Sequence, residues 1–75
     1  MWWYVVEVEL RGGSSAWQRE MVAYNVAADD SFAAAAEAIS AARRRPTTAA
    51  GWVLVGLTVD RAGVAAEMPE GGLTT

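Results

Sequence analysis

The sequence predicts a small α+β domain of order ββαβ or ββαββ, with a hairpin and one helix packed on one face of a three- to four-stranded sheet. In three stretches apolar and polar residues alternate, which is the period of a half-buried β-strand. An alanine-rich stretch between the second and third of these has the composition of a helix. The 75 residues include no cysteine, so we expect one domain over residues 1–69 without disulfides, followed by a flexible tail over residues 70–75.

The first two strands are predicted to form a hairpin. Residues Trp2–Leu10 alternate, so that the even-numbered aromatic and aliphatic side chains share one side. Gly12–Ala16 supplies glycine and serine for a turn, and Trp17–Ala27 then resumes the alternation with valine and tyrosine. The pattern therefore predicts two antiparallel neighbours joined by a loop at Gly12–Ala16.

The register of this hairpin follows from pairing apolar side chains with one another. Opposed residues of an antiparallel pair share a face, so Val6 is predicted opposite Val22, and this also places Glu9 opposite Arg19. A shift by one residue would turn the valines of the second strand to the wrong side. We therefore expect a solvated ion pair between Glu9 and Arg19.

A helix is predicted to begin near Phe32. The preceding residues 29–31, Asp-Asp-Ser, are types that cap helix N-termini by accepting hydrogen bonds from free N–H groups. Alanine-rich sequence continues to Arg43–Arg45, whose charges suit the C-terminal end of the helix dipole, and Pro46 prevents continuation. The expected sheet-facing stripe consists of Phe32, Ala35, Ala36, Ile39 and Ala42.

The third strand is predicted over Trp52–Asp60, after a loop at Thr47–Gly51. A turn at Asp60–Gly63 and a short fourth strand at Val64–Met68 are expected to follow. A right-handed crossover from the second strand to the third leaves room for the first strand between them, which predicts the spatial order 2-1-3-4. Strict alternation assigns four apolar residues of the third strand to the helix side: Val53, Val55, Leu57 and Val59.

One helix covers only one face of such a sheet, so the opposite face is predicted to meet a partner. Tryptophan and methionine there, framed by charge and with Gly56 leaving room for close approach, are typical of a protein interface. The predicted anchors are Trp3, Val5, Trp17, Met21, Trp52 and Leu54, and the predicted rim is Glu7, Glu9 and Arg19. The sequence therefore predicts a non-enzymatic protein–protein interaction or assembly module in the cytoplasm, either a small accessory subunit or a homo-oligomer.

Enzyme chemistry is not predicted, and neither is a cofactor or a metal. Asp29 and Asp30 precede an alanine run, a place where carboxylates cap a helix. Ser31 and Ser40 have no general base, because the sequence contains no histidine and no lysine. A membrane span is not expected either, since the sequence lacks a run of about 20 apolar residues.

Nucleic-acid binding is one alternative. Sheet tryptophans could stack on bases while Arg43–Arg45 contacts phosphates. The formal net charge of −3 and the pI near 4.6 argue against it, because nucleic-acid-binding domains usually carry a basic excess.

A second alternative rests on Gly71-Gly72 near the end of the chain. A hairpin, a helix and further strands followed by a diglycine resemble ubiquitin-like and sulfur-carrier β-grasp proteins. The resemblance consists of the element order and this dipeptide, after which Leu73–Thr75 follow. It implies a protein modifier or sulfur carrier that depends on Gly71 and Gly72, so that truncation before Gly71 abolishes the activity and leaves the fold intact.

Overall fold

The computed structural model describes residues 1–13, 18–49 and 51–75. Trp17, predicted as an anchor in the second strand, lies outside the described residues, as does most of the predicted hairpin loop. The elements are β1 (Trp2–Gly12), β2 (Gln18–Ala28), α1 (Ser31–Arg43), α2 (Pro46–Ala49), β3 (Val53–Val64), a 3₁₀ turn (Ala65–Glu67) and β4 (Leu73–Thr74).

The described strands form one open four-stranded sheet in the order β3-β1-β2-β4. β1 is antiparallel to both β2 and β3, whereas β2 and β4 are parallel. The predicted α+β class is confirmed, and the first strand lies between the second and third as expected. The predicted order 2-1-3-4 is wrong for the fourth strand, which pairs with the outer edge of β2.

The fourth strand is displaced because β3 is longer than the sequence pattern indicates. Residues Asp60–Gly63, predicted as a turn, remain in β3, since Tyr4 pairs with Arg61 and Trp3 pairs with Gly63. The extra residue between these two pairs is Ala62, which forms a β-bulge. The first residues of β1 thus supply partners that keep the chain extended.

The C-terminal segment also differs from the prediction. The residues predicted as a fourth strand, Val64–Met68, instead contain the 3₁₀ turn, closed by a bond from the Met68 N–H to the Ala65 carbonyl. Leu73 then pairs with Val26 of β2, and the Thr74 that follows completes β4. Residues Leu73–Thr75, within the stretch predicted as a tail, therefore lie along β2.

The hairpin register is shifted by two residues from the predicted one. Val6 pairs with Tyr24, and Val8 takes the predicted place of Val6 opposite Val22. The cause is at the turn, where β1 stays extended through Gly12 and β2 resumes at Gln18. Because the shift is an even number, every side chain keeps its predicted face.

The core lies between α1 and one face of β1 and β2. Its buried residues are Tyr4, Val6, Val8, Leu10, Val26, Ala28, Ala34, Ala38 and Ala42. The Asp30 side chain caps α1 as predicted, with Oδ1 accepting from the Ala33 N–H at 2.8 Å. At the other end of α1, the Arg44 N–H donates to the Ala41 carbonyl and the Arg45 N–H donates to the Ala42 carbonyl.

The sheet-facing stripe of α1 differs from the predicted stripe. Ala34, Ala38 and Ala42 are buried, whereas Phe32 is 87% exposed. Alanine occupies most positions of this helix, so the apolar period does not determine which side faces the sheet. Phe32 is left in solvent, and Ile39 on the same flank of the helix is half-buried.

Candidate interaction surface

A second β-bulge in β3 decides which side chains of that strand face the helix. Glu9 pairs with Gly56, but the next residue of β1, Leu10, pairs with Leu54. β3 therefore carries one extra residue there, Val55. Beyond such a bulge the alternation of sides is reversed relative to a regular strand.

The bulge corrects the predicted positions of Trp52 and Leu54. Leu54 shares a face with Leu10, which is fully buried in the core, and both Trp52 and Leu54 pack against the core cluster. Val53, predicted to meet the helix, instead pairs with Arg11 on the opposite face and is 58% exposed. Trp52 and Leu54 are thus part of the covered side of the sheet.

The close approach of Trp52 to the end of β1 leads to a stability prediction. A Cβ atom on Gly12 would lie 2.8 Å from Trp52 Cα, a backbone atom, and the φ of +156° at Gly12 also disfavours a side chain. We expect Gly12→Ala to lower the free energy of unfolding by about 1–3 kcal/mol, measured by urea titration.

Gly56→Ala is the matched control for that substitution, because Gly56 is also a glycine in a strand. Its added Cβ would meet Glu9 Cβ at 3.4 Å, an ordinary contact. The free energy of unfolding should change by less than about 0.5 kcal/mol, as for most surface substitutions. Equal effects of the two substitutions would contradict the packing of Trp52 against Gly12.

The face opposite α1, called here the open face, is covered at one end. Trp3 lies on it half-buried and donates from Nε1 to Asn25 Oδ1 at 2.9 Å. The Glu67 carboxylate and the Trp3 ring both lie within 3.5 Å of the place that a Cβ on Gly63 would occupy. The 3₁₀ turn that follows β3 therefore lies beside Trp3 on the open face.

The middle of the open face is charged. Glu9 accepts from Arg11 Nε at 3.1 Å, and Arg19 Nη1 lies 4.0 Å from the same carboxylate, so the predicted ion pair of Glu9 with Arg19 is a diagonal contact. Glu7 is exposed between them and Trp3. The apolar side chains that remain there, Val5 and the exposed Met21, are set among these charges. The described residues therefore do not form the predicted tryptophan patch.

The exposed aliphatic side chains are concentrated on β3. Val53, Val55, Leu57 and Val64 are all among the exposed large apolar residues. Residues Val53–Val59 contain no charged side chain. This surface was not predicted, because the expected order 2-1-3-4 placed the third strand between two others. The run of seven consecutive uncharged residues was the only visible signal in the sequence.

The outer edge of β3 is unpaired in the part of the chain that the structure describes. β3 pairs there with β1 alone, and no other backbone hydrogen bond reaches its outer side. The other edge of the sheet differs, because β4 covers the end of β2 and the rest of β2 carries Arg19 and Glu20. β3 differs from this second edge because its free edge includes a run of seven residues without a charged side chain.

The arginine run is largely engaged in intramolecular contacts. Arg45 donates to the Glu20 carboxylate of β2, and this hydrogen bond raises the pKa of the Arg45 guanidinium above its ordinary value. Arg44 donates from Nη1 to Ser40 Oγ at 2.9 Å. Arg43 is exposed at the end of α1. The run thus joins α1 to the sheet and caps the helix.

The diglycine lies in the turn that leads into β4. Gly71 has a φ of +87°, and a Cβ on Gly72 would lie 2.6 Å from Met68 Cε and 3.0 Å from the Asn25 carbonyl oxygen. Gly72 therefore allows a close approach between this turn and β2. Both glycines have a conformational or packing role in the fold.

The fold is that of a small α+β domain with an open four-stranded sheet and one long helix on one face. No protein family model, no curated protein and no solved structure matches this chain. Within the described ranges no helix has the length and apolar character to cross a membrane, and no cluster of acidic, histidine or cysteine side chains could hold a metal ion. The described surface also contains no pocket.

Proposed function

We propose that this chain is a non-enzymatic protein-interaction module that binds another polypeptide by pairing a strand with the outer edge of β3. The observation that carries the proposal is the combination on β3 of a free edge with an uncharged run, Val53–Val59. An edge strand offers alternate N–H and C=O groups to another strand, and side chains of that strand add specificity.

The weak protection of β3 between its bulges supports this proposal. Proteins usually block a free sheet edge with charge, proline, a β-bulge or a covering segment, because an open edge associates with other chains. The bulges of β3 lie at Val55 and Ala62, and they leave Gly56–Arg61 regular between them. β3 has no proline, and its charged residues, Asp60 and Arg61, lie beyond the uncharged run. An edge left open in this way is best explained by a strand that binds there.

The size of the domain gives a second reason. A core of this size rarely supplies more than about 3–5 kcal/mol by itself, so small domains often gain stability from a partner. Leu57 pairs with Val8 on the helix side, yet it is 39% exposed because it lies at the edge of the sheet. A strand added beside β3 would cover this side chain and extend the core.

A pair of lysine substitutions tests the proposal. Leu57→Lys puts a charge at the edge of β3, whereas Ala23→Lys puts the same charge on an exposed site of β2 on the open face. We expect proteins that co-purify with the native chain from its own cells, including other copies of it, to be lost with Leu57→Lys and retained with Ala23→Lys. Equal retention by the two variants would overturn the proposal.

A further inference from the structure

We infer that the strand bound by β3 is the β3 of a second copy, paired antiparallel about a two-fold axis at Thr58. This inference rests on the proposed function and names its partner. It follows from the spacing of the bulges, the order of side chains along β3 and the exposed flank of α1.

The bulges limit where a regular ladder can form. The extra residues of β3 are Val55 and Ala62, so its pairing with β1 is uninterrupted over Gly56–Arg61. A bulge disturbs the spacing of backbone groups on both sides of a strand, and an added strand pairs best between bulges. This window is centred close to the middle of β3 (Val53–Val64), so two copies paired there overlap along nearly the whole strand.

The side chains in this window suit pairing with themselves. With Thr58 opposite its own copy, Leu57 lies opposite Val59 of the other chain, and Asp60 lies opposite Gly56. Leu57 and Val59 both face the helix side, so the two chains place four aliphatic side chains together. An axis at Asp60 would oppose two carboxylates, and an axis at Val59 would set Arg61 against Leu57.

Such a dimer also covers the exposed flank of α1. Phe32 and Ile39 are seven residues apart and share one flank, because two helical turns take about seven residues. In a right-handed crossover from β2 to β3 this flank is turned toward β3. The opposite flank carries Ala33, which packs against the core, and α1 contacts β4 at the other edge of the sheet.

The two-fold axis of an antiparallel edge pair is perpendicular to the sheet, so both helices lie on the same face of the joined sheet. Their Phe32 and Ile39 flanks then face each other above the two copies of β3. The domain measures 41 × 18 × 17 Å. Its β3 side therefore offers on the order of 700 Å², close to the ~800 Å² per partner of a standard interface.

Cysteine cross-linking tests the register directly, since the native chain contains no cysteine. Opposed residues of antiparallel strands have Cα atoms about 4.5–5.5 Å apart, within the range that a disulfide spans. Thr58→Cys should oxidise to a covalent dimer at low protein concentration. Asp60→Cys, also exposed on the same face, should still associate but should form no covalent dimer, because its copy lies four positions away along the paired strands.

Sedimentation equilibrium of the full chain over a wide concentration range tests self-association itself. We expect a dimer whose dissociation constant rises by about tenfold or more with Leu57→Lys and is unchanged with Ala23→Lys. A native chain that remains monomeric throughout, or a dimer unaffected by Leu57→Lys, overturns the inference, and so does equal cross-linking at positions 58 and 60. If the chain is monomeric but a different protein is lost with Leu57→Lys, the proposed function stands and self-pairing fails.

Discussion

Replacing Leu10 by alanine should leave a large part of the molecules unfolded. Leu10 is fully buried in the central strand β1. Its partner in β3 is Leu54, the residue next to the bulge at Val55. Truncating a buried leucine costs about 2–5 kcal/mol, because apolar contacts are lost and a cavity remains. That cost is comparable to the whole stability of about 3–5 kcal/mol expected of so small a core. Urea unfolding followed by circular dichroism measures the loss.

Val53→Ala is the control for this substitution. Val53 belongs to the adjacent strand but is 58% exposed, and it lies outside the regular window of β3. Its truncation should change the free energy of unfolding by less than about 0.5 kcal/mol. Both variants must be compared at one protein concentration, since association would add to the apparent stability. A Leu10→Ala variant as stable as the native chain would contradict the assigned core.

Enlarging Ala38 is expected to have the second large effect. α1 meets the sheet through Ala34, Ala38 and Ala42, all fully buried, so the helix backbone lies close to the strands. A leucine at position 38 has no space there without moving the helix away from the sheet. Overpacking of this kind typically costs about 1–3 kcal/mol. Thermal unfolding should show a lower midpoint for Ala38→Leu, together with weaker near-ultraviolet signals from the aromatic side chains.

Ala36→Leu separates overpacking from a change in helix propensity. Ala36 lies on the same helix and is exposed, and the same pair of residue types is exchanged. Since alanine and leucine are both good helix formers, the midpoint should change little. If Ala36→Leu were the more damaging of the two, the rotation of α1 in the structure would be incorrect.

Much of the fold could be predicted because its patterns are local. Alternation along Trp2–Leu10 identifies a strand and its buried side, and Asp30 before the alanine run identifies a helix start. The hairpin register is shifted by two residues from the predicted one, which changes the partner of every residue but leaves each side chain on its predicted face. Such errors are small because apolar side chains specify a side of the sheet more strongly than a particular neighbour.

The candidate interaction surface could not be predicted in the same way. The alternation of Val53, Val55, Leu57 and Val59 indicates one continuous face, yet the bulge at Val55 turns Leu54 toward the core and Val53 away from it. A bulge is set by how a strand fits its neighbour across the sheet. Gly56 beside it is a residue type that can mark a bulge, but it was interpreted as room for the close approach of a partner. The predicted tryptophan patch depended on a regular third strand.

The sequence by itself determined the class of fold, the start of the helix and the side of β1 and β2 that forms the core, because these depend on residue types at fixed short spacings. Tertiary structure alone decided the rotation of an alanine helix, the position of a two-residue β4 and the two bulges of β3. Each of these is settled by contacts between distant segments, whose energies differ little along a strand of valines or a helix of alanines until the segments meet.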